Sequence, residues 1–288
     1  MAIPKIPIDL KINESHWKYL LWAINKGKNV LLYGMSGSGK TLAAIKAAEA
    51  MGKKDKFFSF ALGSTQDPRS VLIGNTHLVK GQGTLFNESA FIRAIRTEGA
   101  VILLDELSRC HPDGWNIILP ILDPIQRCVR LDEKEDSELV KVAEGVSFIS
   151  TANIGTEYTS TRIMDRALMD RFPVKIEIET LDAEEEYDLL FSKYPDLDKE
   201  DIKCISQISY EIRAEFKKPD SRITSYISTR TSVEMGEMLD DGFSVSEVLE
   251  NVVYSTFSGD GGDTSERTFI KQLCQKYVSG KKLPKKLF

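Results

Sequence analysis

A glycine-rich stretch between two predicted elements constrains the fold of this chain more than any other feature. An apolar run at residues 29–33 predicts a short buried strand, and an alanine-rich run at residues 41–50 predicts a helix. The residues between these runs match the pattern G-x-x-x-x-G-K-[ST] in full: Gly34, Met35, Ser36, Gly37, Ser38, Gly39, Lys40 and Thr41. In such a strand–loop–helix, consecutive backbone N–H groups and the positive helix N-terminus can surround a phosphate group. The stretch therefore predicts a binding site for a nucleoside triphosphate.

Two side chains at the end of this loop have the chemistry that such a site needs. We expect the ammonium group of Lys40 to contact the β- and γ-phosphates, and the hydroxyl group of Thr41 to bind Mg²⁺. The alternative is a glycine-rich turn that matches the pattern by chance. The strand before the loop and the helix after it disfavour that alternative.

A second apolar run, at residues 100–104, ends in two carboxylates, Asp105 and Glu106. A continuous apolar run of this length is typical of a strand that is buried in a parallel sheet. At the carboxyl end of the strand, Asp105 can hold Mg²⁺ through its water shell, and Glu106 can polarise the attacking water. An Asp-Glu pair is common by itself, so this interpretation depends on the phosphate loop in the same chain.

The order of the predicted elements indicates the fold class. Further strands are predicted at residues 56–62, 146–153 and 175–179, the last with the alternating polarity of an edge strand. Helical patterns lie between these strands, which predicts an α/β fold with a parallel sheet covered by helices on both faces. From residue 182 onward only helices are predicted, one of them at residues 245–257. We therefore expect an α/β nucleotide-binding domain at residues 1–180 and an all-α lid domain at residues 181–288.

Two predicted hairpins interrupt this alternation. Residues 77–86 form two short runs around a Gly-Gln-Gly turn, and residues 128–142 form two apolar arms joined by the acidic segment DEKEDSE. The acidic segment would repel the phosphates of a nucleic acid. The alternative is that it is an ordinary solvated loop.

Charge and cysteine usage narrow the classes of function. The chain has 38 basic and 43 acidic residues among 288, and a net charge of −5 disfavours a general nucleic-acid-binding protein. Its four cysteines form no Cys-x-x-Cys pair and its three histidines are scattered, so neither a disulfide framework nor a zinc site is expected. No apolar run is long enough for a signal peptide or a membrane span. We expect a soluble, cytoplasmic protein.

Several short motifs, taken in order, resemble those of one ATPase family. They are the phosphate loop, the strand ends at residues 103–106 and 150–153, Asp170-Arg171-Phe172 and Ser228-Thr229-Arg230. Together they resemble the AAA+ ATPases of the MoxR group, close to the CobS, CbbQ and NorQ type that is often called dynein-related. The resemblance extends over residues 13–278 and implies a P-loop AAA+ core followed by a helical lid.

The resemblance also implies roles for polar residues outside the phosphate loop. Asn153 matches the first sensor, an amide that orients the attacking water or contacts the γ-phosphate; the alternative is an asparagine that caps a turn. Arg171 matches the arginine finger, which reaches the γ-phosphate of a neighbouring subunit. Arg166 and Arg162 are alternative fingers, and Arg230 matches the second sensor of the lid. For each arginine, the alternative is an ordinary surface residue.

On this resemblance, we expect an Mg²⁺-dependent, ATP-hydrolysing enzyme that forms a homo-oligomeric ring, a hexamer, and remodels a partner protein. In the family, loops at the positions of the two hairpins face a central pore or the partner. The expected activity extends to metal or cofactor insertion, with a separate von Willebrand-like metal-binding protein as one candidate partner. The main alternative is a nucleic-acid-associated AAA+ motor of the phage or restriction type. A nucleotide-dependent scaffold with little turnover is a weaker alternative, and no contact with a membrane is expected.

Overall fold

The computed structural model describes residues 3–64, 66–79, 83–134, 136–153 and 164–278. These residues form two compact units. The first comprises the chain up to Ile6, Ile12–Met35 and Lys40–Ile178, and the second comprises Pro7–Lys11, Ser36–Gly39 and the described part of Glu179–Phe288. The predicted phosphate loop thus contributes residues to both units. Within the described ranges, no helix has both the length and the apolar character that are needed to cross a membrane.

A five-stranded parallel sheet forms the centre of the first unit. The strands, in chain order, are β1 (Val30–Tyr33), β2 (Phe57–Ala61), β3 (Gly74–Val79), β4 (Gly83–Glu88), β5 (Val101–Asp105), β6 (Cys128–Arg130), β7 (Leu139–Lys141), β8 (Ser147–Ala152) and β9 (Val174–Glu177). The sheet has the order β2-β5-β8-β1-β9, and all its neighbouring strands are parallel. The predicted parallel sheet is confirmed, with β9 at an edge and the apolar strands β5, β8 and β1 inside.

Helices flank this sheet and form a core with it. The α-helices of the first unit are α1 (Glu14–Asn25), α2 (Lys40–Ala50), α3 (Pro68–Leu72), α4 (Ala90–Ile95), α5 (Pro112–Leu122) and α6 (Arg166–Asp170). The side chains of Asp67 and Ser89 accept backbone N–H bonds at the starts of α3 and α4, as N-capping residues do. Ile102 and Phe148 of the sheet are completely buried in the same cluster as Phe91 of α4. Burial of these apolar side chains is the main force that holds the helices on the sheet.

Both predicted hairpins are present as antiparallel pairs. β3 pairs with β4, with Thr76 opposite Phe86, and β6 pairs with β7, with Val129 opposite Val140. Residues 80–82 and residue 135, near the two tips, lie outside the described residues. The hairpins are separate from the five-stranded sheet.

Ion pairs hold the acidic segment of the second hairpin. Arg96, which follows α4, pairs with Glu88 at 2.8 Å and with Glu138 at 2.5 Å. Lys134 pairs with the same two carboxylates, at 3.3 Å and 2.5 Å. The hydrogen bond from Lys134 is the largest cause that lowers the pKa of Glu138. The segment is therefore tied to the end of the first hairpin through alternating charges.

These ion pairs offset part of the negative charge that the sequence of the segment indicates. Glu133 pairs with Arg69, and Glu138 has the two cationic partners just described. Among the described acids of the segment, Asp132 and Asp136 are exposed. The segment thus repels phosphates less than its sequence suggests, because much of its negative charge is compensated within the first unit.

The second unit is helical in its described part. Its α-helices are α7 (Ala183–Lys193), α8 (Lys199–Phe216), α9 (Thr229–Asp240), α10 (Val245–Val248) and α11 (Glu266–Val278). Apolar residues at helical spacing on α8, among them Ile205, Ile208 and Ile212, are completely buried against Met235 of α9 and Ile270 of α11.

The helix predicted at residues 245–257 is present over Val245–Thr256, but only its first turn is a regular α-helix. α10 is followed by a π-helical turn at Leu249–Val253 and a 3₁₀ turn at Tyr254–Thr256. The hydroxyl group of Ser255 donates to the carbonyl oxygen of Asn251 at 2.6 Å. Side-chain bonds of this kind to the backbone four residues earlier bend helices. The apolar periodicity of the segment does not reveal this competition.

A buried ion pair connects the helices of the second unit. Arg213 of α8 forms two hydrogen bonds with the carboxylate of Glu186 of α7, and their side chains are 2% and 0% exposed. Arg213 also donates to the carbonyl oxygens of Leu181 and Ile227, both at 3.2 Å. It therefore fixes the chain segments that lead into α7 and α9.

We predict that Glu186→Gln lowers the free energy of unfolding by about 3–5 kcal/mol, because it leaves the buried charge of Arg213 without a counter-charge. The measurement is urea unfolding followed by circular dichroism. The control is Glu184→Gln on the same helix, where the side chain is exposed and the expected change is within about 0.5 kcal/mol. Equal stabilities of the two variants would show that the buried pair is dispensable.

Candidate functional site

The phosphate loop lies between β1 and α2, in the setting that its sequence predicts. Lys40 is the first residue of α2 and is only 7% exposed. Its ammonium group donates to the carbonyl oxygens of Gly34 at 3.0 Å and Met35 at 2.6 Å. The positive charge is thus held against the loop, where a phosphate bound by that loop would lie.

The loop has the features of an anion cradle. Gly39 has a φ of +94°, and a Cβ added there would meet nothing within 4 Å, so the space beside the backbone is open. The hydroxyl group of Ser38 is buried and has no hydrogen-bond partner. An unpaired buried hydroxyl is costly, and phosphate oxygens would supply the missing partner. A phosphate group therefore fits the loop on its own geometry.

In the second unit, the middle of the loop packs against the segment that starts α9. A Cβ added to Gly37 would lie 2.5 Å from Cβ of Ser228, so no larger residue fits there without a shift. The hydroxyl group of Tyr226 donates to the carbonyl oxygen of Ser36 at 3.1 Å. Ser228 caps α9, and Arg230 is an exposed residue in the first turn of that helix. The segment from Tyr226 to Ser228 thus contacts residues 36–39 of the loop and leads directly into the helix turn that carries Arg230.

The carboxylate of Asp105 accepts hydrogen bonds from two hydroxyl groups. The hydroxyl of Thr41 is 3.1 Å from Oδ1 and 3.3 Å from Oδ2 of Asp105, and the hydroxyl of Thr151 donates to Oδ1 at 2.5 Å. Asp105 ends β5, and Thr151 is near the end of the neighbouring strand β8. Because the strands are parallel, their carboxyl ends meet at the same edge of the sheet as the phosphate loop.

Glu106 adopts a backbone conformation that is unusual for a residue with a side chain. Its φ and ψ are 56° and 41°, in the left-handed region. Its N–H group donates to the hydroxyl of Thr151 at 2.9 Å, and its carboxylate pairs with Arg109 at 3.2 Å. A Cβ added to Gly63 would lie 2.2 Å from Oε2 of Glu106, so only glycine leaves room for this carboxylate. Strained residues of this kind are concentrated at functional sites.

Asn153 follows β8, and its N–H group donates to the hydroxyl of Ser108 at 3.3 Å. Ser108 is 2% exposed and lies on the short 3₁₀ turn Leu107–Arg109, directly after Glu106. Ser108 and Thr151 therefore link the ends of β5 and β8. The structure brings Asn153 and Glu106 to the same edge of the sheet.

The oxygen atoms at this edge suit a magnesium ion. Mg²⁺ is usually bound by one or two protein oxygens together with phosphate oxygens and water. The adjacent oxygens of Thr41 and Asp105 are such a pair. Across the described ranges, no group of three His, Cys, Asp or Glu residues could hold a metal ion, and a Mg²⁺ site with a nucleotide does not require one.

Arg171, the predicted arginine finger, does not lie at the sheet edge that bears the phosphate loop. The carbonyl oxygen of Arg171 accepts a hydrogen bond of 2.8 Å from the side chain of Asn29, which precedes β1. Five residue steps separate Asn29 from Gly34, and a strand of that length spans roughly 16 Å. Arg171 is thus at the amino edge of the sheet, opposite the phosphate loop of its own chain. Arg166 is the exposed first residue of α6, and Arg162 lies outside the described residues.

Two hydroxyl residues of the site, Thr151 and Ser108, were not predicted from the sequence. Both carry hydroxyl groups in buried positions, 2% exposed in each case. A polar side chain at the end of an otherwise apolar strand, next to a strand that ends in two acids, is the signal that could have identified Thr151. Ser108 has no such signal, because its role depends on the turn that follows Glu106.

Comparisons with known proteins identify the family of this chain. The family described as AAA domain (dynein-related subfamily) matches residues 29–172. BssE of Thauera aromatica, which is named as a candidate chaperone, is 32% identical over 222 residues, or 77% of this chain and 72% of that protein. An uncharacterized protein of Staphylococcus saprophyticus is 27% identical over 226 residues, or 77% of this chain and 76% of its own.

Among solved structures, the RuvB Holliday junction branch migration motor of Thermotoga maritima has a similar fold. Its TM-score is 0.52 at 15% identity, and the match covers 93% of this chain and 77% of that chain. At this identity, the likeness concerns the fold alone. The predicted fold class, a P-loop α/β core with a parallel sheet followed by helices, is confirmed.

We predict that Thr151→Val slows ATP hydrolysis about tenfold to a hundredfold, because losses of this order follow removal of a residue that orients the groups around a metal site. Valine has the shape of threonine but can bond neither to Asp105 nor to the N–H group of Glu106. The measurement is the steady-state rate, with the KM for ATP expected to stay within about twofold. Thr151→Ser, which keeps the hydroxyl, is the control. Equal rates for the two variants would mean that Thr151 only fills space.

Proposed function

The chain belongs to the dynein-related subfamily of AAA domains, and we propose that it is an Mg²⁺-dependent ATPase of the MoxR group that forms a ring and remodels a partner protein. One observation carries the proposal of ATP hydrolysis. Thr41, Asp105 and Thr151 form a connected set of oxygen atoms at the sheet edge that bears the phosphate loop. Such a set suits a nucleotide-bound Mg²⁺ ion and an adjacent catalytic carboxylate, Glu106, that acts as a base.

Each residue of the site has a separate task in this proposal. Residues 34–41 bind the phosphates through their backbone N–H groups, and Lys40 adds a positive charge. Thr41 and Asp105 would hold Mg²⁺, which would neutralise charge on the phosphate oxygens when bound. Glu106 polarises the attacking water, and Asn153 orients that water or contacts the γ-phosphate. Hydrolysis occurs by direct attack of water, without a covalent intermediate.

Arg171 acts on the nucleotide of a neighbouring subunit. The support is its place at the amino edge of the sheet, where the side chain of Asn29 binds its backbone, opposite the carboxyl edge that bears its own phosphate loop. An arginine supplied in trans stabilises charge that develops on the phosphoryl group. Arg166 and Arg162 are the alternative fingers, and Arg230 is the proposed second sensor. A ring, with six subunits as the proposed number, would give every nucleotide such a neighbour.

The MoxR group assignment, close to CobS, CbbQ and NorQ, is part of the proposal. The similarity to BssE, named as a candidate chaperone, supports a protein as the partner. A separate von Willebrand-like metal-binding protein is one candidate partner, with metal or cofactor insertion as the outcome. We also propose that the protein is cytoplasmic. Its proposed domains are residues 1–180 and 181–288.

The alternative function is a nucleic-acid-associated motor of the phage or restriction type. The net charge of −5 weighs against it. The acidic segment of the second hairpin weighs against it less than expected, because Glu133 and Glu138 have cationic partners. ATP hydrolysis that DNA stimulates several-fold at physiological salt would favour this alternative over a protein partner.

We predict that Glu106→Gln binds ATP with normal affinity but hydrolyses it at least about a hundredfold more slowly, because the variant lacks the carboxylate that polarises water. Lys40→Ala, by contrast, should lose ATP binding itself. Binding is measured with a fluorescent ATP analogue and hydrolysis by phosphate release. The control is Glu49→Gln, which removes an exposed carboxylate near the end of α2. Normal turnover of Glu106→Gln would exclude Glu106 as the catalytic base.

The same variant can identify the partner. Glu106→Gln should remain in the ATP-bound assembly, so partners that bind this state accumulate on it. A co-purified protein that is absent from a parallel experiment with Lys40→Ala would be the candidate substrate for remodelling.

We predict that a mixture of Arg171→Ala and Lys40→Ala subunits hydrolyses ATP, although neither variant does so alone. Arg171→Ala offers an intact phosphate loop, and Lys40→Ala offers an intact finger, so some interfaces in a mixed ring contain both. The measurement is turnover across mixing ratios, with mixed oligomers confirmed by native mass spectrometry. No recovery in confirmed mixed oligomers would contradict a shared site built on Arg171.

A further inference from the structure

The carboxylate of Asp123 has two different sets of partners. Oδ1 accepts from the backbone N–H groups of Ile125 and Gln126, at 2.9 Å and 3.0 Å, and so shapes the turn after α5. Oδ2 accepts from Nη2 of Arg171 at 3.1 Å. The side chains of Asp123 and Arg171 are 17% and 29% exposed. The turn thus holds the carboxylate of Asp123 in place, and that carboxylate in turn binds the guanidinium group of Arg171.

The rest of Arg171 is also fixed at this junction. Its Nη1 donates to the carbonyl oxygen of Ala167 at 3.1 Å. The side-chain amide of Asn29, which is 5% exposed, donates to the carbonyl oxygens of both Arg171 and Leu122 at 2.8 Å. The backbone of Arg171 is therefore attached to the end of α5, the helix that leads directly into Asp123.

The hydrogen-bond inventory of the guanidinium group leaves donors for a ligand. A guanidinium has five N–H groups in a planar fork. One on Nη1 is used by Ala167 and one on Nη2 by Asp123, while Nε of Arg171 is buried without a partner. Each Nη atom therefore retains one further N–H group. Two N–H groups are what an arginine uses to bind a phosphate in bidentate geometry.

We propose that Asp123 is a positioning residue for Arg171: it orients the guanidinium group so that the remaining N–H groups meet the γ-phosphate of a nucleotide bound by a neighbouring copy. This inference rests on the proposed function, in which Arg171 acts in trans. Asp123 itself touches no nucleotide and acts through Arg171.

Asp123 is suited to this task because it stays ionised. The hydrogen bonds from Gln126 and Ile125, and then the charge of Arg171, lower the pKa of its carboxyl group. Without this anchor, the long side chain of Arg171 would sample other rotamers. A displacement of about 1 Å from the productive geometry can cost a hundredfold in rate.

The test is Asp123→Asn, which keeps an oxygen acceptor for the turn and removes the charge that holds the guanidinium. We expect the kcat for ATP hydrolysis to fall about tenfold to a hundredfold, with the KM for ATP unchanged within about twofold. The control is Glu144→Gln, which removes an exposed carboxylate from the surface cavity of about 450 Å³ that Arg171 also lines. The control should keep the kcat of the unmodified protein.

Mixing experiments locate the defect. Asp123→Asn subunits should regain activity when mixed with Lys40→Ala subunits, because those supply a correctly oriented finger to an intact phosphate loop. They should not regain activity with Arg171→Ala subunits, which supply no finger. A merely structural role would not produce this difference.

The outcomes separate this inference from the proposed function. If Arg171→Ala fails to recover with Lys40→Ala, the trans finger itself is wrong. If that pair recovers while Asp123→Asn has the kcat of the unmodified protein, only the positioning role is wrong. Should Asp123→Asn lower the melting temperature, Asp123→Ser replaces it, because a serine hydroxyl can still accept from the turn. Full activity of a folded variant overturns the inference in either case.

Discussion

The hydrogen bonds to Asp105 are the interaction on which the site depends. Its carboxylate accepts from Thr151 of β8 and contacts the hydroxyl of Thr41, the second residue of α2. Thr151 in turn accepts from the N–H group of Glu106 and so helps to hold that residue in its left-handed conformation. Thr151 thus connects the proposed metal ligands to the proposed catalytic base, Glu106, and the parallel pairing of β5 with β8 brings them together.

The opposite edge of the sheet carries the second half of the proposed chemistry. Asn29 stands at one end of β1 and the phosphate loop at the other. Through Asn29 and Asp123, the backbone and the guanidinium of Arg171 are both attached to the end of α5. Arg171 lies at the sheet edge opposite the phosphate loop of its own chain, so the proposed finger needs the phosphate loop of a second copy. This separation is the physical basis for the proposed ring.

Local patterns predicted the phosphate loop, the parallel sheet and both hairpins, because spacing and turn residues specify these elements over short stretches. Contacts between distant residues were not predicted. The ion pair of Arg171 with Asp123 joins positions 48 apart, and the bond between Thr151 and Asp105 joins positions 46 apart. The ion pairs that offset part of the charge of the acidic hairpin segment were not predicted for the same reason, since Arg69 and Arg96 lie outside it. The helix predicted at residues 245–257 is present, but its change from α- to π- and 3₁₀-helical turns was not predicted, because hydroxyl-to-carbonyl bonds leave no trace in apolar periodicity.

The proposed function requires that the sheet edge with Thr41, Asp105 and Glu106 binds a metal–nucleotide complex. The most direct measurement is a crystal structure of the Glu106→Gln variant with ATP and Mn²⁺, with the manganese located by its anomalous scattering. We expect manganese bound to the hydroxyl oxygen of Thr41, beside Asp105, with the phosphates enclosed by residues 34–41. Manganese at another site, or ATP bound away from this loop, would contradict it.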